Sequence, residues 1–129
     1  MDFDDFHPTY FTLDDNGDVT VASFTKLSLS DEENVEQLAH ELFSLVEQYN
    51  RRKVVLDMHC VEYVTSSILG KMITLHRKLH RTNGRLVVCG LTEGVQRILS
   101  SSRLIEYFET STDVDNAVAM LNSQAAGAV

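Results

Sequence analysis

The 129-residue sequence has no Trp, one Pro and two Cys. Two cysteines, Cys60 and Cys89, are too few for a disulfide framework and read as ordinary buried thiols of a cytosolic protein. Basic residues are scarce: 11 Lys and Arg stand against 19 Asp and Glu, for a net charge of −8. That balance argues against a chain that grips nucleic acid by bulk charge. No apolar run approaches the ~18 residues that cross a bilayer, and Met1-Asp2-Phe3-Asp4-Asp5 is acidic where a secretory leader is basic. No membrane span is expected, and the expected location is the cytoplasm. A G-x-S-x-G elbow, a Gly-rich phosphate loop and a paired-carboxylate signature are all missing. The sequence therefore predicts no catalytic residues, no metal and no cofactor. What it does have is 43% hydrophobic residues and the length of one ordinary domain.

The charge is uneven. Residues 1–50 carry 12 acidic side chains and only Lys26, a net of −11, whereas residues 51–129 carry +3 and include Arg51-Arg52-Lys53. Two solvated faces of one domain explain this, and an acidic face that steers a basic partner is the sharper alternative.

Tyr10–Leu13 and Val19–Phe24 are β-rich runs around Asn16-Gly17, which predicts an opening antiparallel hairpin. Ser30 before Asp31, Glu32 and Glu33 predicts a capped helix of about 18 residues, its stripe running through Val35, Leu38, Leu42 and Val46. Lys53–Asp57 and Arg85–Gly90 are continuous apolar runs, expected as buried parallel strands. A helix is predicted from about Ser66 to about Arg81, stopped by Asn83-Gly84. Val95, Ile98 and Leu99 mark a short third helix, Tyr107–Thr110 a last strand, and Val114–Leu121 a final helix. The order ββαβαβαβα implies one α/β domain, a mixed sheet with an antiparallel edge and about four helices. Its expected span is 9–123, with residues 1–8 and 124–129 flexible.

Asp57 at a strand end invites comparison with a phospho-accepting receiver domain. The direct turn from the first strand into a second one contradicts that topology, and a carboxylate satisfied by local N–H groups is the simpler reading. His76 and His80 stand four apart on a predicted helix, but no third ligand is evident. His59 and Cys60 are neighbours on a segment read as extended, where adjacent side chains point apart, so a Cys–His pair is not suggested. Cys89 lies within an apolar strand and reads as core.

Val61–Gly70 stands out, because it places Thr65, Ser66 and Ser67 in a row at a helix start. Such hydroxyls cap a helix; a helix N-terminus also stabilises a phosphate through free N–H groups and the dipole. Both readings are open on spacing alone.

Val54–Met58, Val61–Gly70 and Gly84–Leu91, continuing through Val95–Leu99, Tyr107-Phe108 and Asp115–Val118, resemble the STAS domain of anti-sigma factor antagonists. The likeness covers roughly residues 10–122. It implies a partner-switching regulator without catalysis of its own. A Ser in an Asp-Ser-Ser/Thr-Gly-Leu-Gly motif is phosphorylated by an anti-sigma factor that doubles as a serine kinase. The unphosphorylated form binds that partner, the phosphorylated form lets go, and a Ser/Thr phosphatase resets it.

Motif alignment puts the acceptor at Ser66, with Ser67 and Thr65 as alternatives. Thr65 stands where the family usually has Asp, and Ile68 where it usually has Gly. The resemblance further implies a partner-binding surface made of Val64, Thr65, Ser66, Ser67, Ile68 and Lys71, with Ile68 and Lys71 on the exposed helix start. Ile68 there would block a kinase or anchor a different partner. STAS-like domains also build larger assemblies, so the alternative function is a non-switching scaffold with STAS-domain assembly partners.

Overall fold

The computed structural model describes residues 6–26, 28–29 and 35–127. The chain opens on the expected hairpin. β1 (Phe11–Asn16) pairs antiparallel with β2 (Val19–Phe24), from Phe11 opposite Phe24 to Asn16 opposite Val19. The two-residue loop places Gly17 at φ +68°, a conformation that glycine adopts without steric cost.

After the hairpin every neighbouring pair in the sheet is parallel. β2 pairs with β4 (Lys53–Asp57), β4 with β6 (Arg85–Cys89) and β6 with β7 (Glu109–Ser111), giving the order β1-β2-β4-β6-β7. The crossovers run through α1 (Val35–Glu47), α2 (Ser66–Arg81) and α3 (Glu93–Ser101), and α4 (Val114–Gly127) follows β7. This is the mixed α/β architecture, with four helices among the described residues, that the sequence predicted.

The continuous apolar runs of β4 and β6 are apolar because both faces of the sheet are covered. Val54, Leu56, Leu86 and Val88 point to a large core with Leu42 and Leu45 of α1, Met72 and Leu75 of α2, and Leu99 of α3. The alternate residues Val55, Val87 and Cys89 join Val19 and Val21 against Ala117, Val118 and Leu121 of α4. The period-two alternation of a strand thus sorts one apolar run into two cores. At the hairpin end, Lys53 meets Asp18 at 3.0 Å and Arg51 meets Asp15 at 3.4 Å, so two of the three adjacent basic residues face acids of the first half.

Four details differ from the sequence expectation. β3 (Ser28–Leu29) and β5 (Tyr63–Val64) form a separate parallel pair; two-residue strands carry no periodic signal. The last strand is Glu109–Ser111 rather than Tyr107–Thr110. Tyr107 and Phe108 instead sit in a turn, with both amides donating to the carbonyl of Leu104, and Phe108 is buried in the larger core.

The third difference lies at the amino end. Phe6 stacks on Tyr49 with ring centroids 5.3 Å apart, and the buried carboxylate of Glu41 accepts from Thr9 N at 2.9 Å and from Gln37 Nε2 at 2.9 Å. The segment from Phe6 is therefore held against α1 through Glu41 and against Tyr49 just past its end. Lastly, α4 continues to Gly127, past the boundary expected at 123. The expected Ser30 cap with Asp31–Glu33, the first five residues and the last two lie outside the described residues.

Candidate functional site

The segment that leads into α2 is held on two sides. Leu29 of β3 pairs with Val64, and the Leu29 carbonyl accepts from Thr65 N at 3.1 Å. On the other side Thr92, the N-cap of α3, donates its hydroxyl to the Val61 carbonyl at 2.7 Å. A Cβ on Gly94 would come within 2.5 Å of the Glu62 carbonyl, so glycine permits the close approach of α3 to this segment. Two elements far apart in sequence thus fix the short strand β5.

Thr65 is the N-cap of α2. Its backbone is extended (φ −89°, ψ 166°) and its hydroxyl accepts from Ile68 N at 3.4 Å. Ser66 and Ser67 are the first two residues of the helix, and both are exposed. No acidic side chain lies in the first turn of α2, so its macrodipole is uncompensated there. Tyr63 is 52% exposed beside them. Lys71, half-buried, pairs with Glu36 of α1 at 3.3 Å.

Two residues expected on the docking surface are inside the protein. Val64 and Ile68 are 2% and 1% exposed and belong to the larger core. Ile68 falls on the same stripe as Met72, Leu75 and Leu79, which the 3.6-residue helical period turns toward the sheet. The placement of Ile68 on the exposed helix start is therefore corrected: the side chain fills the core rather than facing a partner. The outward surface consists of Tyr63, Thr65, Ser66 and Ser67, with Lys71 at its edge.

A second cluster lies at the carboxyl end of β4, where sequence reasoning found none. Met58 N donates to the Cys89 carbonyl and Val61 N to the Met58 carbonyl, each at 2.9 Å, closing a β-turn over Met58–Val61. His59 and Cys60 are its central residues. Neighbours in a turn are not forced to opposite sides, and Cys60 Sγ lies 3.3 Å from His59 Nε2. The expectation that the two point apart is corrected by this turn. The other ring nitrogen, Nδ1, lies 2.9 Å from both carboxylate oxygens of Asp57. Asp57 also accepts from His59 N at 3.2 Å and from Ser23 Oγ at 3.1 Å. Local groups satisfy this carboxylate, as anticipated, but a side-chain ring is among them.

Elsewhere, His76 and His80 stack in near-parallel fashion at 6.4 Å, with the edge of Tyr107 on His76 at 5.0 Å. Burial, and then the neighbouring His80, push the His76 ring below its ordinary value, with Glu109 opposing. Cys89 is fully buried; burial, with Asp57 and Asp113 nearby, pushes its thiol up to about 12.

The model of the STAS domain family matches residues 17–117 of this sequence. The chain belongs to the STAS domain family. Among its relatives, BtrV of Bordetella bronchiseptica, named an anti-sigma factor antagonist, is 31% identical over 86 residues, which span 67% of this chain and 73% of BtrV. Among solved structures, an anti-sigma factor antagonist of Thermotoga maritima superimposes with a TM-score of 0.77 at 19% identity, over 87% of this chain and 94% of that one. The phosphorylated form of SpoIIAA from Bacillus superimposes with a TM-score of 0.64 at 17% identity, over 85% and 97%. The STAS fold of anti-sigma factor antagonists is thus the fold of this chain. Among the described residues no helix is long and apolar enough to cross a membrane.

Proposed function

We propose that this STAS domain is a cytoplasmic anti-sigma factor antagonist that switches partners through phosphorylation of Ser66. The observation that carries the reading is the position of Ser66. It is exposed, first in a 16-residue helix and directly behind the Thr65 cap. A phosphate added there lies at the positive end of the α2 dipole, where negative charge is favoured, so it is tolerated by the fold. It also brings about −1.5 to −2 charges to a surface suited to docking.

In this reading the unphosphorylated surface binds an anti-sigma factor that is also the serine kinase. Phosphorylation releases it, and a Ser/Thr phosphatase restores the binding form. A thousandfold loss of affinity needs about 4 kcal/mol. An unpaired dianion in a desolvated interface supplies energies of that size. That SpoIIAA exists in a phosphorylated form supports the same use of this fold. The burial of Ile68 supports it too, because an inward side chain leaves Ser66 open to a kinase. It also takes away the exposed apolar anchor that favoured a permanent scaffold.

The test has two arms. Phosphopeptide mapping of protein purified from its own host is expected to find phosphate on Ser66; phosphate on Thr65 or Ser67 keeps the mechanism and moves the residue. Titration against the anti-sigma factor is expected to rank wild type and Ser66→Ala together, with Ser66→Glu weaker. Equal binding by all three, with no phosphate under growth or stress, refutes the switch.

A further inference from the structure

The turn after β4 holds a nucleophile, a base and a carboxylate in line. A carboxylate accepts hydrogen bonds, and both Asp57 oxygens lie 2.9 Å from Nδ1, so this geometry favours the neutral-ring tautomer that carries its proton on Nδ1. Nε2 then keeps its lone pair, 3.3 Å from Cys60 Sγ, in the tautomer that can take the thiol proton. Asp57 is well fixed for this purpose: its side chain is 9% exposed and is bonded by Ser23 Oγ as well as by His59. Gly90 keeps the space beside the pair open, since a Cβ there would lie 3.1 Å from the Cβ of His59.

The sulfur is reachable. Cys60 is only partly buried, and the His59 side chain is 62% exposed. His59, though not Cys60, also lines a neighbouring cleft of about 290 Å³ to which Asp57, Asp113 and Asp115 contribute. Those carboxylates favour a reagent carrying amines over one carrying carboxylates. Cys89 offers no competition, being fully buried with its thiol pushed up to about 12.

We propose that Cys60 is a modification site, a thiol activated by His59 that exchanges with small, amine-bearing disulfides. The thiol gives its proton to His59 Nε2, and the sulfur attacks one sulfur of the disulfide. The Cys60–S bond forms as the old S–S bond breaks, and the departing thiolate takes the proton from His59. One protein thiol is consumed and one small thiol is released, with no further oxidant or reductant. His59 is the base and Asp57 its positioning residue. The site is separate from Ser66, and nothing in it depends on phosphorylation there.

Cystamine is the probe, reacted with the full chain at neutral pH and followed by mass spectrometry of the Cys60 peptide. The native chain is expected to form the adduct about tenfold or more faster than the same chain unfolded in urea, as an activated thiol does. Cystamine is expected to outpace oxidised glutathione. Cys60→Ser abolishes the fast reaction, and His59→Gln, at an exposed position, brings it down to the unfolded rate. In Asp57→Asn the pH–rate profile moves toward that of the unfolded chain, a change that a purely structural role for Asp57 would not give while circular dichroism stays native. A native rate no higher than the unfolded one, or His59→Gln reacting as fast as wild type, overturns the site. Glutathione reacting faster than cystamine overturns the assigned class of reagent.

Discussion

A Cβ built on Gly90 would stand 2.9 Å from Oδ1 of Asp57. The carboxylate at the end of β4 and the glycine just past β6 therefore share one space, and Gly90 is further fixed by its φ of +67°. Gly90→Ala is expected to cost about 1–3 kcal/mol, through left-handed strain and displacement of the Asp57 side chain. A urea denaturation midpoint checks this. The same variant should lose the heightened reactivity of Cys60, because His59 is oriented by the carboxylate that moves.

Ile68 stands where the family pattern has Gly, and it fills the core. Ile68→Ala is expected to destabilise the fold by about 2–5 kcal/mol, and Ile68→Gly by about 1 kcal/mol more, since glycine also weakens the helix. Ile68→Val should cost about 0.5–1.5 kcal/mol. Chemical denaturation of the three gives the order. A restored glycine that left stability unchanged would contradict the inward position of this side chain.

Thr65 caps α2 where the family usually has Asp. Thr65→Ala removes the acceptor and is expected to cost about 1 kcal/mol. Thr65→Asp keeps an acceptor and adds a negative charge near the positive end of the dipole, an interaction of about 0.3–1 kcal/mol at low salt. Thermal midpoints at low and high salt check the pair. The aspartate variant should match or exceed wild type at low salt, and its advantage should shrink as salt is raised.

His76 supplies a pH dependence. Burial holds its folded-state value below that of the unfolded chain, and Nδ1 is buried with no hydrogen-bond partner among the described residues. The unfolded chain therefore binds the proton more readily. This contribution to stability is present above pH ~6.5 and is lost as pH falls from there through the lower folded-state value. The urea midpoint of wild type should drop between pH 7.5 and 5.5, and His76→Gln should flatten that drop. An unchanged slope in the variant would remove His76 as its source.

Much of this was legible before any coordinates. The hairpin, β4, β6 and the limits of α2 follow from turn chemistry, unbroken apolar runs and helix caps, signals that local sequence states strongly. Ile68 could also have been placed, because its spacing to Met72, Leu75 and Leu79 is that of a buried helical stripe; the family's glycine at that position drew attention to the surface instead. β3 and β5 were invisible, since their pairing is a tertiary event over two residues each. Tyr107 and Phe108 have high strand propensity, yet the core claimed Phe108 from within a turn. The pairing of His59 with Cys60 was missed because alternation of side chains holds only for extended backbone, and the turn over Met58–Val61 breaks it.

The two faces of the sheet are covered unequally. α1, α2 and α3 lie over one, whereas α4 alone among the described helices covers Val19, Val21, Val55 and Val87 on the other. Arg85 reinforces that thinner side, bridging Glu109 and the carbonyl of Met120. A layer held by one helix can lift away without dissolving the rest, so the domain should keep two clocks. In deuterium exchange, the amides of α4 are expected to be replaced through partial openings, while those of β4 and β6 wait for the whole molecule to unfold.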